Sequence, residues 1–588
     1  MQLVRRFRLP ALFCSLAVLL CELISRPYTE MGISDDGPYI LMARHLARTG
    51  HIVFNGWAAP LLGWQLYLGA AFIKLFGFSF TTARMSTLLV AVATAWLLER
   101  TLTLAGISER NAALGTLALV LSPLYLMLAV TYMTDIFGLF AVVICLYGCL
   151  RALRASTERA TIGWLCFAVA CNAVFGTARQ VAWLGVLVMV PSALYVLGRR
   201  GAWRTRQRTL LAGGTAAAAG ALFIFACMQW LKRQPYSIPE HLIPSVFPAA
   251  HAFRELAEFL LDAPFLLLPV FAVFLPQIRK AGRRTLALAA TLSLGYALLV
   301  FFALHRPGYS TTTLLEPTHR SLGDWVGIHG IHEGLHLQGE PPVFLYPWME
   351  EVVTFLSLGG LLGLVVCLLS SVRRGAEGAV SPAEVTWREL GILLGPFVLA
   401  YTLLLVPRAA SEPFGVFDRY LLEILVAALV LVTRCYQDRI CARLPRTVVL
   451  LVTIMAVYGV ACTHNMFALY RARLALAAEV RASGVPDTAV DYGFEYNFGT
   501  ELKHANHLNV DLIVTPRDAY RPAPALAAGS CRMFWHDYTP HIRPVYGVSF
   551  DPDACYGLAP FAPVHYTRWP FLTPGTLYIV RYLPPMKR

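Results

Sequence analysis

The residues best suited to chemistry are two adjacent carboxylates near the start of the chain, in the segment Ser34-Asp35-Asp36-Gly37-Pro38-Tyr39. Pro38 suits the first turn of a helix, and apolar residues recur at helical spacing from Tyr39 onward, so the sequence predicts an amphipathic helix able to lie in a membrane interface. A carboxylate at such a helix start can take the proton of an attacking hydroxyl or amine. Alternatively, Asp35 and Asp36 only cap the helix.

A third carboxylate and three cations accompany this pair at the ends of apolar runs. Asp135 opens one apolar run, where it either supports the pair or acts as a helix cap. Arg306, Arg408 and Arg419 stand near the ends of other runs, and a guanidinium there can stabilise the charge of a leaving phosphate. Arg419 is equally well explained as an interfacial anchor.

These residues are separated by long apolar segments that determine the fold class. Hydrophobic residues make up 57% of the 588 residues, 14% are charged, and the mean hydropathy is +0.58, whereas a soluble chain carries roughly 25% charged residues. The sequence predicts an all-α polytopic membrane protein of about 13 transmembrane helices. The predicted spans are 9–25, 84–104, 111–130, 134–151, 161–178, 180–198, 209–231, 263–278, 285–304, 352–371, 388–407, 419–434 and 446–468.

The net charge of +14 lies mainly in short connections between these spans, such as the arginine-rich segments 199–208, 279–284 and 434–446. This pattern indicates a cytoplasmic N-terminus and an extracytoplasmic C-terminus, and it argues against nucleic-acid binding. We assign the apolar segment 61–77 to the outer interface, because a further span there would invert every later loop. The predicted location is the cytoplasmic (inner) membrane, crossed many times.

Two domains are expected: a transmembrane domain over 1–470, whose first outer loop is 26–83, and a small extracytoplasmic α/β domain over 471–588. Most of the 13 cysteines lie in apolar runs, whereas Cys531 and Cys555 lie in the polar tail, where an oxidising compartment favours a disulfide. His332 and His336 would share a helix face, but a solvated loop is the better interpretation of that segment, and no metal ligands are assigned.

In their order along the chain, these features resemble the GT-C superfamily of polyprenyl-phosphate-sugar-dependent glycosyltransferases, most closely family 39 and its bacterial relatives, which include protein O-mannosyltransferases and the lipid A aminoarabinose transferase. The aminoarabinose transferases carry a lysine before the proline of the first loop, where this chain has Ala59, which argues against that substrate. The positions that match the family pattern are Asp35, Asp36, Tyr39, Pro60, Phe76-Gly77, Arg84 and Asp135.

The resemblance implies transfer of a sugar from a polyprenyl-phosphate donor to an acceptor glycan, lipid or protein, by direct displacement that inverts the anomeric centre. Asp35 is expected as general base, with Asp36 and Asp135 in support, and Tyr39, Arg84, Arg306, Arg408 and Arg419 as ligands of the donor or its phosphate. A divalent cation stays open as a cofactor. The alternative is a membrane transporter or flippase of lipid-linked substrates, although transporters place their ionisable residues near the midplane.

Overall fold

The computed structural model describes residues 9–57, 60–200, 203–238, 252, 256, 260, 262–304, 326–327, 330–331, 337–370, 385–409 and 416–584. Helices dominate the chain as far as residue 505. They are α1 Leu9–Ser25, α2 Asp36–Thr49, α3 Gly63–Phe76, α4 Phe80–Leu104, α5 Glu109–Val120, α6 Pro123–Ala129, α7 Asp135–Leu153, α8 Glu158–Phe175, α9 Val190–Arg199, α10 Trp203–Leu231, α11 Leu268–Phe271, α12 Leu275–Lys280, α13 Arg283–Leu304, α14 Pro347–Leu369, α15 Trp387–Ala409, α16 Leu422–Arg439, α17 Thr447–Ala482 and α18 Phe494–Ala505.

Each predicted span coincides with a helix or with a run of short helices. Within the described part of the chain, nine helices are long and apolar enough to cross a bilayer, and the pair α5 and α6, bent by 71°, makes a tenth, so the count of about 13 spans stays a prediction. A polytopic helical membrane protein with a small C-terminal α/β domain is therefore confirmed. The apolar faces of the helices pack into one continuous core, which includes residues of α1, α4, α7 and α16.

The apolar segment 61–77 of the first loop forms α3, which is fixed against the loop that precedes α7. Tyr132 Oη donates to Gln65 O at 2.6 Å, and Gln65 Nε2 donates to Tyr132 O at 2.8 Å. Gly69 makes this contact possible, because a Cβ there would lie 2.1 Å from Tyr132 Oη. The first loop is thereby held beside the start of α7, where Asp135 stands.

Gly69→Ala is expected to lower stability by about 1–3 kcal/mol, because the added methyl group overlaps a buried ring that is held at both ends. Gly163→Ala in α8 is the matched control, since a Cβ there meets nothing within 4 Å. Thermal unfolding midpoints in one detergent compare the two variants. Equal midpoints would show that Tyr132 moves aside without cost.

The C-terminal part is built on α17, which is 36 residues long and thus extends about 54 Å at ~1.5 Å per residue. This helix continues without interruption through the expected domain boundary at 470. Its end packs against a four-stranded sheet of order β3-β4-β6-β5, formed by β3 Val490–Asp491, β4 Tyr546–Ser549, β5 Val564–Arg568 and β6 Thr573–Arg581. The strands β1 Val326–Gly327 and β2 Gly330–Ile331 form a separate hairpin.

The predicted Cys531–Cys555 disulfide is present in the sheet domain, with the two Cα atoms 5.9 Å apart.

The segment before α14 joins the same domain. Gln338 N donates to Val548 O at 3.2 Å, and Phe550 N donates to Gln338 O at 2.9 Å, so this segment extends the sheet beyond the short strand β3. The connection before α14 and the C-terminal domain therefore lie on the same side of the membrane.

We predict that this side is extracytoplasmic, because the arginine-rich connections, which are typical of the cytoplasmic side, lie at the opposite ends of the spans. Topology reporters fused at residues 155, 203 and 440 should score as cytoplasmic, and a reporter at 480 should score as external. Opposite results at any two of these positions would contradict the orientation.

Candidate active site

The acidic pair is presented by a tight turn that precedes α2. Ser34 has a positive φ of 51°, and Gly32 and Gly37 approach so closely that a Cβ on Gly32 would lie 3.0 Å from the Gly37 Cα. Asp35 occupies the N-cap position of α2 but makes no side-chain capping hydrogen bond, so the capping alternative does not explain this residue. The turn directs the two neighbouring carboxylates to different surroundings.

Asp36 is fully buried in an ion pair with Arg84, which is also fully buried. Arg84 Nε donates to Asp36 Oδ2 at 2.7 Å and Arg84 Nη2 donates to Oδ1 at 3.1 Å. The backbone N–H groups of Ile33 and Tyr132 donate to the same carboxylate at 2.7 and 3.1 Å. The remaining donors of Arg84 bind the carbonyls of Thr29 and Met31. This pair joins α2, α4 and the loop before α7.

Asp35 is the more accessible carboxylate, with 19% of its side chain exposed. Its Oδ2 lies 3.6 Å from Arg419 Nη2. Arg419 belongs to the 3₁₀ turn Asp418–Leu421 that precedes α16, and its Nε lies 3.9 Å from Asp135 Oδ1. One guanidinium therefore stands between the two carboxylates that the sequence analysis placed in the site.

Asp135 is fully buried at the start of α7 and pairs more closely with a second arginine. Arg179 Nη1 donates to Asp135 Oδ1 at 2.6 Å, and Arg179 Nε lies 3.1 Å from Glu423 Oε1. Tyr401 Oη donates to the other oxygen of Glu423 at 3.0 Å. Asp135 Oδ2 has no hydrogen-bond partner within the described residues, although it is buried. The result is an alternating row of charges from Asp35 to Glu423.

The Phe417 ring lies beside this row of charges, and a further cation, Arg408, lies near the same ring. The Arg419 guanidinium lies 4.6 Å from the centre of the Phe417 ring, and the Arg408 guanidinium lies 5.6 Å from the same ring. Arg408 Nε is buried and has no hydrogen-bond partner among the residues that the structure describes. Two guanidinium groups thus lie near one phenylalanine ring, which suits a site for a phosphate group.

Tyr39 lies under the accessible end of the row and is nearly fully buried. Burial, and then the negative charge of Asp35, raise the pKa of the Tyr39 phenol well above its ordinary value. The phenol therefore stays protonated at working pH. It can donate a hydrogen bond in the site, but it is not a candidate base.

The structure brings together Asp35, Tyr39, Asp135, Arg408 and Arg419, and it places Asp36 and Arg84 in a buried pair beside them. Arg306 and the candidate histidines lie outside the described residues, as does Ala59. Sequence reasoning missed Arg179, Glu423 and Tyr401. Glu423 carried a usable signal, because an acidic residue inside an apolar run is seldom tolerated without a function.

The described residues contain no group of three or more histidine, cysteine, aspartate or glutamate side chains able to hold a metal ion. The Arg419 guanidinium lies between Asp35 and Asp135, the two candidate carboxylates.

No protein-family model and no curated protein sequence matches the chain. Several solved structures are similar to it. ArnT from Cupriavidus metallidurans in the apo state aligns with a TM-score of 0.38 and 15% identity over 81% of each chain. The same protein bound to undecaprenyl phosphate aligns with a TM-score of 0.39 and 13% identity over 95% of this chain and 96% of that one.

The Archaeoglobus fulgidus oligosaccharyltransferase, in a complex with Zn and sulfate, aligns with a TM-score of 0.41 and 14% identity over 90% of this chain and 62% of that one. Because all three TM-scores lie below 0.5, these similarities carry no argument about the chemistry of the site.

Proposed function

We propose that the protein is a membrane glycosyltransferase that moves a sugar from a polyprenyl-phosphate donor to an acceptor at the membrane surface. The observation that carries this proposal is the contact of Asp35 with Arg419 at one end of the helical bundle. Such a pair offers a base and a phosphate ligand side by side. The resemblance of the first 200 residues to the GT-C pattern supports the same chemistry.

In the proposed reaction Asp35 accepts the proton of the acceptor hydroxyl or amine as that atom attacks the anomeric carbon. The bond between the anomeric carbon and the phosphate oxygen breaks, and the electron pair leaves with the polyprenyl phosphate. Asp35 is suited to this task because its carboxylate is partly exposed, whereas those of Asp36 and Asp135 are fully buried. We therefore assign positioning roles to Asp36 and Asp135.

The proposed ligands of the donor phosphate are Arg419 and Arg408, both of which lie near the Phe417 ring. Their charge would offset the charge that develops on the leaving phosphate. Arg179 lies one step further along the row, between Asp135 and Glu423, and we propose that it holds Asp135 in place to support Arg419. Arg84 is fully engaged by Asp36 and two carbonyls, so a role in binding the donor is not proposed for it.

Arg419→Gln is expected to raise the KM for the donor about 10- to 100-fold, because one charge-assisted hydrogen bond to phosphate contributes roughly 1.5–3 kcal/mol. Arg471→Gln is the matched control, since Arg471 also lies over an aromatic ring, that of Tyr28, and among the described residues its hydrogen bonds go to backbone carbonyls. Initial rates at varied donor concentration give both values. An unchanged donor KM in Arg419→Gln would remove this arginine from the phosphate site.

The proposal is tested most simply in cells. A strain that lacks the gene should accumulate one polyprenyl-phosphate sugar, and the wild-type protein should clear it. A strain that carries Asp35→Asn at equal expression should keep the accumulated lipid. Identical lipid-linked sugar pools in all of these strains would contradict the proposed activity, and the mass of an accumulated species would identify the sugar.

A further inference from the structure

The loop between β5 and β6 exposes two large apolar side chains at the end of the C-terminal sheet. We call residues 569–572, with the sequence Trp-Pro-Phe-Leu, the hairpin tip. Phe571 is 62% exposed and Leu572 is 67% exposed. Side chains of this size, next to each other on a loop, are a common feature of surfaces that contact another apolar phase.

Contacts with α17 fix the position of the hairpin tip. The Ala562 N–H, at one end of β5, donates to Glu479 Oε1 at 2.9 Å. At the other end, the Asn465 side-chain amide donates to Trp569 O at 2.8 Å, while its oxygen accepts from Trp569 N at 2.7 Å. Fourteen helical residues rise about 21 Å and seven strand residues about 23 Å, so β5 lies along α17 and carries the tip toward the bundle.

The tip reaches the level at which α17 enters the membrane. Trp569 stacks on His464, with ring centres 4.0 Å apart and planes at 13°. The apolar part of α17 begins at Thr447, directly after Arg446. A hydrocarbon layer of about 30 Å corresponds to roughly 20 helical residues, which places its boundary within about one turn of His464.

A second helix gives the same level independently. The carbonyl of Ser25, the last residue of α1, lies 3.2 Å from His464 Nδ1. Below this level the outward face of α17 consists of exposed apolar residues such as Leu450, Ile454 and Val457, as expected of a helix surrounded by lipid. His464 therefore marks the membrane boundary, and the hairpin tip stands beside it.

Further exposed aromatic residues lie next to the tip, at the start of α14. Arg568 Nη2, adjacent to the tip, donates to Val343 O at 2.9 Å. The chain then enters the membrane through Tyr346 and Trp348, which are 55% and 60% exposed. Tyrosine and tryptophan concentrate at bilayer interfaces because an apolar ring and a polar group suit the two sides of the boundary.

We infer that the hairpin tip is a membrane anchor, in which Phe571 and Leu572 insert into the boundary between lipid headgroups and acyl chains. The partner is a phospholipid surface, identified by the depth of Trp569 on α17 and by the adjoining aromatic residues. Such an anchor holds the sheet domain down on the bilayer along the outer part of α17. This inference does not depend on the proposed transferase activity.

The test places a photoreactive benzoylphenylalanine at position 571 or 572 of the full chain in nanodiscs of phosphatidylethanolamine and phosphatidylglycerol. Position 558 is the matched control. Leu558 is 53% exposed on the same domain but pairs with Val580, about 23 Å along β6 from its start at Thr573. After irradiation, phospholipid adducts should appear in the peptides that contain 571 and 572, and the 558 peptide should stay at the unirradiated background.

Equal lipid labelling at all three positions, or no lipid adduct at 571 and 572, would overturn the anchor. Adducts from 571 to another polypeptide would overturn it as well, because they would identify a protein partner in place of the bilayer. Elution of each labelled protein at the wild-type volume in size-exclusion chromatography confirms that the substitutions preserve the fold.

Discussion

Asp35→Asn is expected to lower the rate of sugar transfer by about 10²- to 10⁴-fold, because an amide keeps the size of the carboxylate but cannot accept the acceptor's proton. The loss should appear mainly in kcat, with a smaller change in the affinity for the donor, since Arg408 and Arg419 are retained and Arg419 keeps its buried partner Asp135. Single-turnover rates with donor in excess, together with a separate donor-binding titration, distinguish the two effects.

Asp135→Asn is the informative comparison, because Asp135 shares Arg419 with Asp35 but is buried. It should affect donor KM as well as rate, since Arg419 and Arg179 both lose a charged partner. If Asp35→Asn turned over at the wild-type rate, Asp35 would not be the base. If only Asp135→Asn were inactive, Asp135 at the start of α7 would be the candidate base in place of Asp35.

Asp36→Asn is expected to cost about 3–5 kcal/mol of stability, because Arg84 would remain buried without a charged partner. The effect should therefore be seen in unfolding and in expression, with activity lost in proportion to folded protein. Midpoints of thermal unfolding in detergent, measured for Asp36→Asn and Arg84→Met, give the sizes of the two losses.

The double variant Asp36→Asn/Arg84→Met provides the decisive control. Because it removes the unpaired charge, it should be more stable than Asp36→Asn alone, as is typical when both members of a buried pair are replaced. Additive losses would show that the two residues act independently. A stable but inactive Asp36→Asn protein would show that Asp36 supports catalysis, as expected from the sequence, and is not only structural.

The helices could be predicted from the sequence because the signal is local: about 20 consecutive apolar residues satisfy both the bilayer and the backbone. The same local reasoning found Asp35 at the start of α2 and Asp135 at the start of α7. It also found the Cys531–Cys555 pair, because only two cysteines lie in the polar tail.

The division of roles between Asp35 and Asp36 could not be predicted, because it depends on contacts between distant segments. Arg84 pairs with a carboxylate 48 residues away, and the sequence offers no means of choosing between the two neighbouring aspartates. The family pattern suggested Arg84 as a ligand of the donor, whereas its buried geometry supports a role in holding the turn before α2.

Arg179 was overlooked for a related reason. It stands between two apolar runs, where an arginine is usually an interfacial anchor, and only the fold shows Asp135 and Glu423 on either side of it. Buried charges of this kind are recognised through their partners, and those partners come from helices that are far apart in the sequence.

The most direct test of the account is a product analysis with purified protein in vesicles, a defined polyprenyl-phosphate sugar and an acceptor mixture from the same cells. Polyprenyl phosphate and glycosylated acceptor should form in equal amounts, and neither should form with Asp35→Asn. Movement of the intact donor across the vesicle membrane, or donor that stays unconsumed by the wild-type protein, would contradict the central claim.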